Sequence, residues 1–108
     1  MDFPAKAVST AALALAVLAA QAQAAPAVHT VVIDGMRFIP QTVEVKPGDT
    51  VIWRNKDPFP HTVAAAGGGL ASPDIAAGAS WKFTATKRGR YSYLCTLHRT
   101  MTGTLVVK

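Results

Sequence analysis

The feature that most constrains this chain is a short motif near its carboxyl end, in which three metal-binding side chains follow one another at spacings of three. Cys95, His98 and Met101 lie between two segments of alternating apolar residues, 91–95 and 105–107. Alternation with a period of two predicts strands, so the sequence predicts two strands joined by a loop that carries a thiol, an imidazole and a thioether. These soft ligands suit copper better than any other common biological metal.

A Cys-His-Met loop needs one more strong ligand to complete a metal site, and His61 is the candidate in this sequence. It follows a proline-rich loop, residues 56–60, and begins another extended segment. A trigonal site of two histidines and one cysteine with a weak axial methionine is the geometry of blue copper. The sequence therefore predicts a site of His61, Cys95 and His98, with Met101 placed to supply the axial thioether.

Each of these residues also has a simpler role open to it. Cys95 shares a strand face with two tyrosines and could be a buried structural thiol, and Met101 could fill a gap in the core. The histidines could be ordinary hydrogen-bonded imidazoles. One cysteine and two histidines also resemble a catalytic zinc set with an open position. No acid or base is well placed for catalysis, since Asp57 is interpreted as a turn residue, and we therefore expect no enzymatic activity.

The first 24 residues have the pattern of a leader. Lys6 precedes an apolar run, residues 7–20, and the small-x-small sequence of residues 22–24 marks a processing site. The run is too short to span a bilayer, which takes about 20 apolar residues. We expect a cleavable signal helix in residues 1–24, export to a bacterial periplasm, and a mature copper-binding domain of residues 25–108 that has no membrane segment.

The mature part is small and contains a single cysteine. Removing 24 of the 108 residues leaves 84, which is enough for one domain with a modest core. Cys95 cannot form a disulfide within the chain, and an unpaired thiol in an oxidising compartment is a liability unless something occupies it. Metal ligation would occupy it and would also stabilise the fold.

The charge of the mature part restricts the kind of partner. Without Lys6 and Asp2 the chain has ten basic and five acidic residues, so the net charge stays at +5. The positive residues are scattered along the sequence, which fits a solvated surface that steers the protein toward an acidic partner. Nucleic acid is not expected, because the aromatic residues are not interleaved with the basic ones.

The mature part alternates short strand patterns with turn signals. Residues 41–46 and 50–55 alternate on either side of a Lys-Pro-Gly-Asp sequence, where proline and glycine fit a type II turn. Further strands are predicted at residues 28–33 and 80–86, and residues 64–73 are predicted to be a surface loop with little regular structure. Several short strands without a helical period predict an all-β sandwich, with the ligands gathered at one end.

Four segments resemble the cupredoxins, in particular the amicyanin, pseudoazurin and plastocyanin group. They are VKPGDTV (residues 45–51), FPHTV (59–63), GRYSYLC (89–95) and the spacing Cys95-x-x-His98-x-x-Met101-x-Gly103. The short spacing from histidine to methionine is most similar to amicyanin. The resemblance implies a Greek-key β-sandwich with one type 1 copper ion, held by His61, Cys95 and His98 equatorially and by Met101 axially. It also implies that the protein carries single electrons between redox partner proteins. We expect a monomer and an acidic cytochrome or dehydrogenase as partner.

Three residues depart from the amicyanin pattern. Leu97 and Arg99 stand where amicyanin-like loops carry prolines on both sides of the second histidine, and Thr62 stands where asparagine is common. Fewer prolines predict a looser loop, so a periplasmic protein for copper scavenging or delivery is the alternative function. Thr62 also leaves open which group braces the ligand loop.

His98 is the predicted entry point for electrons. Apolar side chains around it are expected to form a weak docking patch of the small area typical of redox encounters. The predicted members are Phe59, Pro60, Leu97 and Leu70.

Overall fold

The structure is a computed structural model that describes residues 25–108, and the predicted signal helix of residues 1–24 lies outside the described residues. No helix in this described part is long and apolar enough to cross a membrane. Eight strands make up its regular structure: β1 (Val28–Ile33), β2 (Phe38–Ile39), β3 (Thr42–Val45), β4 (Thr50–Asn55), β5 (Ala64–Ala65), β6 (Ser80–Thr84), β7 (Gly89–Cys95) and β8 (His98–Val107).

The strands form two four-stranded sheets, one in the order β2-β1-β4-β6 and the other in the order β3-β8-β7-β5. The pairs β1–β4 and β3–β8 are parallel, and the remaining pairs are antiparallel. From β3 to β7 each strand lies in the sheet opposite to the strand before it. The predicted Greek-key β-sandwich is therefore confirmed.

The core lies between the sheets and consists of the inward residues of each alternating strand. Trp53 of β4 and Tyr93 of β7 are fully buried at its centre, with ring centroids 5.7 Å apart and the indole N–H donating to the tyrosine oxygen at 3.3 Å. Phe38 packs edge-on against Tyr93 at 4.8 Å. Burial raises the pKa of Tyr93 to about 12, so its phenol stays neutral in the core.

The predicted hairpin of β3 and β4 has the expected turn but lies across two sheets. Gly48 has a φ of 95° and the Asp49 N–H donates to the Lys46 carbonyl at 3.0 Å, as a type II turn requires. Its two strands do not pair with each other, because β3 adds to β8 and β4 inserts between β1 and β6. Alternation showed which residues face inward, but it carries no information on the partner of a strand.

Residues 64–73 were predicted to lack regular structure, and this was wrong for the first two. Ala64 and Ala65 form β5, which pairs with Leu94 and Tyr93 of β7. This short strand covers the edge of β7 and so satisfies backbone groups that would otherwise be open. Alanine has little preference for strands, which is why the local sequence gave no signal.

Candidate metal centre

Cys95 and His98 face each other across a tight turn. They are partners at the end of the β7–β8 hairpin, with Thr96 and Leu97 as the turn residues and a register shift between Leu94 and Cys95. The sequence predicted a longer ligand loop before the last strand, but β8 already begins at His98. It pairs with β7 at His98 and again from Thr102 to Val107, and the register shift leaves residues 99–101 without a partner in β7.

Met101 belongs to the inward face of β8. It is buried together with residues 103, 105 and 107, which follow it at intervals of two. The side chain is thus part of the core cluster and also lies near His61 and Cys95. The sequence offered core packing and metal ligation as alternatives for Met101. In the structure its side chain packs in the core and also lies beside the predicted site.

His61 is completely buried, and its backbone is fixed on two sides. It exchanges two hydrogen bonds with Ile75, with N···O distances of 3.1 and 2.8 Å. The Asn55 side chain at the end of β4 donates to the carbonyls of Phe59 and Ile75, at 2.8 and 3.0 Å, and accepts the N–H of Asp57 at 2.9 Å. Asn55 therefore shapes the loop that delivers His61, a role that sequence reasoning missed.

Two of the four predicted ligands are already in contact. The His61 Nδ1 atom lies 3.7 Å from the Cys95 Sγ atom, and the rings of His61 and His98 are 5.2 Å apart. Metal bonds of about 2.1 Å to imidazole and about 2.3 Å to sulfur, at an angle near 120°, leave about 3.8 Å between the two ligand atoms. The contact thus fits a metal ion shared by His61 and Cys95.

The rest of the set depends on His98 and Met101. Among residues 25–108, no three His, Cys, Asp or Glu side chains are arranged to hold a metal ion by themselves. A complete site therefore requires the Met101 thioether and a suitable orientation of the half-buried His98 ring in addition to the two buried ligands. His29 lies apart from this group and is paired with Asp49 at 2.9 Å.

The surroundings of Cys95 favour the thiolate. Burial acts to raise the pKa of the thiol, but hydrogen bonds from the amide of Thr62, the amide of Leu97 and the Thr62 hydroxyl hold this pKa below its ordinary value. The Thr62 N–H donates to Sγ at 3.3 Å. A thiolate is the form of cysteine that binds metals, so the environment suits a ligand better than an inert core thiol.

Asp57, interpreted from sequence as a turn residue, is instead a buried neighbour of His61. One carboxylate oxygen lies 2.8 Å from His61 Nε2, on the opposite side of the ring from Cys95. Burial acts to raise the pKa of this carboxyl, but hydrogen bonds from Met36, His61 and Gly35 hold the pKa below its ordinary value. An acidic residue four positions before a candidate ligand was the sequence signal for this contact.

The outer face of the site is apolar. Phe59 and Leu97 are 41% and 48% exposed, and the Phe59 ring lies 5.4 Å from His61 and 5.8 Å from His98. Leu70, predicted to belong to this patch, is only 2% exposed and packs in the core. Phe59 and Leu97 are therefore apolar residues that reach the surface beside His98.

Comparison with known proteins agrees with this architecture. Residues 7–107 match the model of the cupredoxin-like domain family. The chain is 35% identical over 106 residues to amicyanin-alpha of Methylorubrum extorquens, covering 93% of this chain and 88% of that protein. It is 34% identical over 94 residues to amicyanin of Paracoccus denitrificans, covering 82% and 72%.

A solved structure shows the same similarity in three dimensions. The Cu(I) form of an amicyanin variant superposes with a TM-score of 0.70 at 32% identity, covering 83% of this chain and 89% of that one. The sandwich, the ligand motif at one end and these matches agree with one another. The chain belongs to the cupredoxin-like family and is similar to the amicyanins.

Proposed function

We propose that this protein carries single electrons and binds one type 1 copper ion through His61, Cys95, His98 and Met101. The observation that carries the proposal is the 3.7 Å contact between His61 Nδ1 and Cys95 Sγ in a fully buried position. Similarity to amicyanins, one of them solved in a Cu(I) form, supports copper over zinc. A set of thiolate, imidazole and thioether supports the same choice.

The protein's part in this function is to hold the ligands still. Bound copper would supply a one-electron Cu(II)/Cu(I) couple, taking an electron from a reduced partner and passing it to an oxidised one. His61 and Cys95 are held by buried hydrogen bonds with Asp57 and Thr62, which lie in the segment between β4 and β5. Because a ligand set intermediate between the preferences of the two oxidation states need not rearrange, this rigidity favours fast transfer without enzymatic chemistry.

The tight β7–β8 turn favours the carrier over a protein for copper scavenging or delivery. The sequence lacks the two prolines of amicyanin-like loops, which predicted a loose loop. In the structure, Thr96 and Leu97 form a two-residue turn and both flanking residues are paired in strands. The pairing of Cys95 with His98 restrains this turn where the prolines are missing, and pairing with β7 resumes at Thr102.

The partner is proposed to dock over His98. This side chain is half-buried, and the apolar Phe59 and Leu97 lie beside it. The exposed Arg99 next to His98 and the exposed Lys56 on the His61 loop add positive charge at this end. We infer an acidic redox partner, a cytochrome or a dehydrogenase, that makes a small and short-lived contact.

The cellular location follows from the predicted leader. We propose that residues 1–24 are a signal peptide, that residues 25–108 form the mature domain, and that the protein works in the periplasm as a monomer. Its single buried thiol supports this assignment, because a metal would protect it in an oxidising compartment.

The visible spectrum after addition of Cu(II) tests the proposed site. We expect an intense blue band from the purified mature protein, reversible bleaching on reduction, and retention of copper in the reduced state. Cys95→Ser should abolish the band, because oxygen cannot replace the thiolate, and His98→Gln should weaken or abolish it.

His29→Gln is the matched control, since His29 lies away from the site, and it should keep the full band. A folded wild-type protein that binds Cu(II) without colour contradicts the proposal. Ready loss of Cu(I) to a chelator would instead support copper delivery, and purification with bound zinc would support a structural zinc site.

A further inference from the structure

The Asp57 carboxylate joins the candidate ligand His61 to the turn between β1 and β2. It is 6% exposed and accepts three hydrogen bonds. One oxygen, Oδ1, accepts the N–H of Gly35 at 2.8 Å, and the other, Oδ2, lies 3.0 Å from the N–H of Met36 and 2.8 Å from His61 Nε2. A single buried charge therefore holds the β1–β2 turn and the candidate ligand together.

The turn it contacts has an uncommon backbone. Gly35 and Met36 both have a φ of 61°, and the turn is closed by the Asp34 N–H donating to the Arg37 carbonyl at 3.1 Å. The left-handed conformation costs a residue other than glycine about 1 kcal/mol or more. In this conformation the amides of Gly35 and Met36 both donate to Asp57. The β1–β2 turn thus helps to fix the position of the Asp57 carboxylate, in addition to the loop that carries Asp57.

The contact determines which nitrogen of His61 is free to bind. A carboxylate can only accept, so in the neutral imidazole Nε2 carries the proton and Nδ1 keeps its lone pair. Nδ1 is the atom 3.7 Å from Cys95 Sγ. A carboxylate on the far nitrogen also makes the free nitrogen a stronger electron donor, and its negative charge favours the more positive oxidation state of a nearby metal.

We propose that Asp57 is a positioning residue that fixes the tautomer and orientation of His61 and lowers the reduction potential of the copper site. The second part rests on the proposed copper-binding function. The first part concerns the protein without metal and stands on the geometry alone. If Asp57 only connected the turn to the loop, its charge would have no effect on the reduction potential, and the Nε2 atom of His61 would not need to be protonated.

Two substitutions separate the charge from the position. In Asp57→Asn the amide oxygen can take the place of Oδ2 and keep the bond to His61, while the NH₂ group faces the Gly35 N–H and the charge is lost. At a fixed applied potential we expect the blue protein to show a Cu(I)-to-Cu(II) ratio about tenfold higher, which is a rise of 59 mV for a one-electron couple. Asp57→Ala removes both the charge and the hydrogen bond and should also change the visible spectrum.

Asp34→Asn is the matched control, because it removes a carboxylate from the exposed side of the same turn, and it should leave the potential within a small fraction of that shift. A blue Asp57→Asn protein with the wild-type potential would overturn the effect of the charge.

Nitrogen NMR of metal-free wild-type protein tests the tautomer without any variant or copper. We expect His61 to be protonated on Nε2 alone, and Asp57→Ala, where it folds, to show a mixture of both tautomers. A wild-type His61 protonated on Nδ1 overturns the positioning role. Failure of wild-type protein to form a blue copper complex overturns the proposed function instead, and the NMR result then decides the positioning role by itself.

Discussion

Thr62 holds together the two chain segments that carry the buried ligands. Its N–H donates to Cys95 Sγ at 3.3 Å, and its hydroxyl oxygen accepts the Thr96 N–H and lies beside the Thr96 hydroxyl, both at 2.8 Å. The sequence left open whether any group would brace the ligand loop in place of asparagine. The threonine hydroxyl makes this connection from the position after His61.

Replacing Thr62 with valine removes the brace and keeps the shape of the side chain. We expect the free energy of unfolding of the metal-free protein to fall by about 1 kcal/mol, since one buried acceptor and its bonds to Thr96 are lost. Urea unfolding measures this change. Thr96→Val is the matched control: it loses only the bond between the hydroxyls and keeps its N–H donor, so its loss should be clearly smaller. Equal losses in the two variants would show that the hydroxyl of Thr62 does not brace the backbone.

The proposed ligands could be chosen from sequence, whereas most of the contacts that hold them could not. Cys95, His98 and Met101 form a local motif whose chemistry is evident without a structure. Asp57 and Thr62 contribute through contacts that depend on the folded path, since Thr62 reaches a thiol more than thirty residues away. The spacing of Asp57 from His61 was a weak signal, and Thr62 gave none, because common polar residues in a loop do not reveal their partners until the loop is folded.

At the scale of the strand, β8 packs against the Tyr93 ring through one glycine. Gly103 is the cross-strand partner of Tyr93, whose ring lies directly over it. A Cβ atom at position 103 would stand 2.4 Å from the ring carbon Cζ and 2.5 Å from the hydroxyl oxygen. The ring cannot easily move, because it is buried against Phe38 and Trp53. The glycine of the ligand motif is thus explained by packing.

Gly103→Ala should therefore be among the more damaging small substitutions. We expect overpacking to cost about 3 kcal/mol of unfolding free energy, measured by urea unfolding of the metal-free protein. Gly67→Ala is the control, because a Cβ there meets nothing within 4 Å, and it should change stability by less than about 0.5 kcal/mol. A loss below about 1 kcal/mol in Gly103→Ala would show that the Tyr93 ring can shift.

Most strands could be predicted because their inward and outward residues alternate. The exceptions were β2, β5 and the start of β8. β2 exists through its pairing with β1, and β5 and the start of β8 exist through their pairing with β7. Strand propensity in a short local window contains no information of this kind.

Across the whole molecule, the basic residues are less scattered than their positions in sequence indicated. β3 and β8 end, and β7 begins, at the pole opposite the metal site, because Gly89 pairs with Val107 while Cys95 pairs with His98. Five exposed basic residues lie in or next to these strand ends: Lys46, Lys87, Arg88, Arg90 and Lys108. Net charge alone would therefore not direct an acidic partner to the metal end. Local charges such as Arg99 must contribute the orientation.

Asp49 is the buried anion near this basic pole. Its carboxylate accepts the N–H of Ala27 at 2.9 Å and of Lys46 at 3.0 Å, and it lies 2.9 Å from His29 Nε2. It thereby fixes the chain entering β1 to the turn between β3 and β4. These bonds, in that order of importance, lower the pKa of Asp49 from 3.8 to about 2.

The low pKa of Asp49 predicts how the fold responds to acid. A carboxylate with a pKa lower in the folded state than in the unfolded state stabilises the fold above the unfolded pKa, and this contribution disappears as the pH falls through the folded value. We therefore expect the unfolding midpoint of metal-free protein to drop between about pH 4 and about pH 2. Metal-free protein is needed because ligand protonation would add its own acid dependence.

Asp49→Asn should be less stable at neutral pH and lose less in that window, with the remaining slope coming from groups such as Asp57. Asp74→Asn, at an exposed loop position, should keep the full decline. If the unfolding midpoint of Asp49→Asn declines as steeply with falling pH as that of the wild-type protein, other carboxylates cause the acid sensitivity. In that case, the junction of β1 with the β3–β4 turn is not where acid first weakens this sandwich.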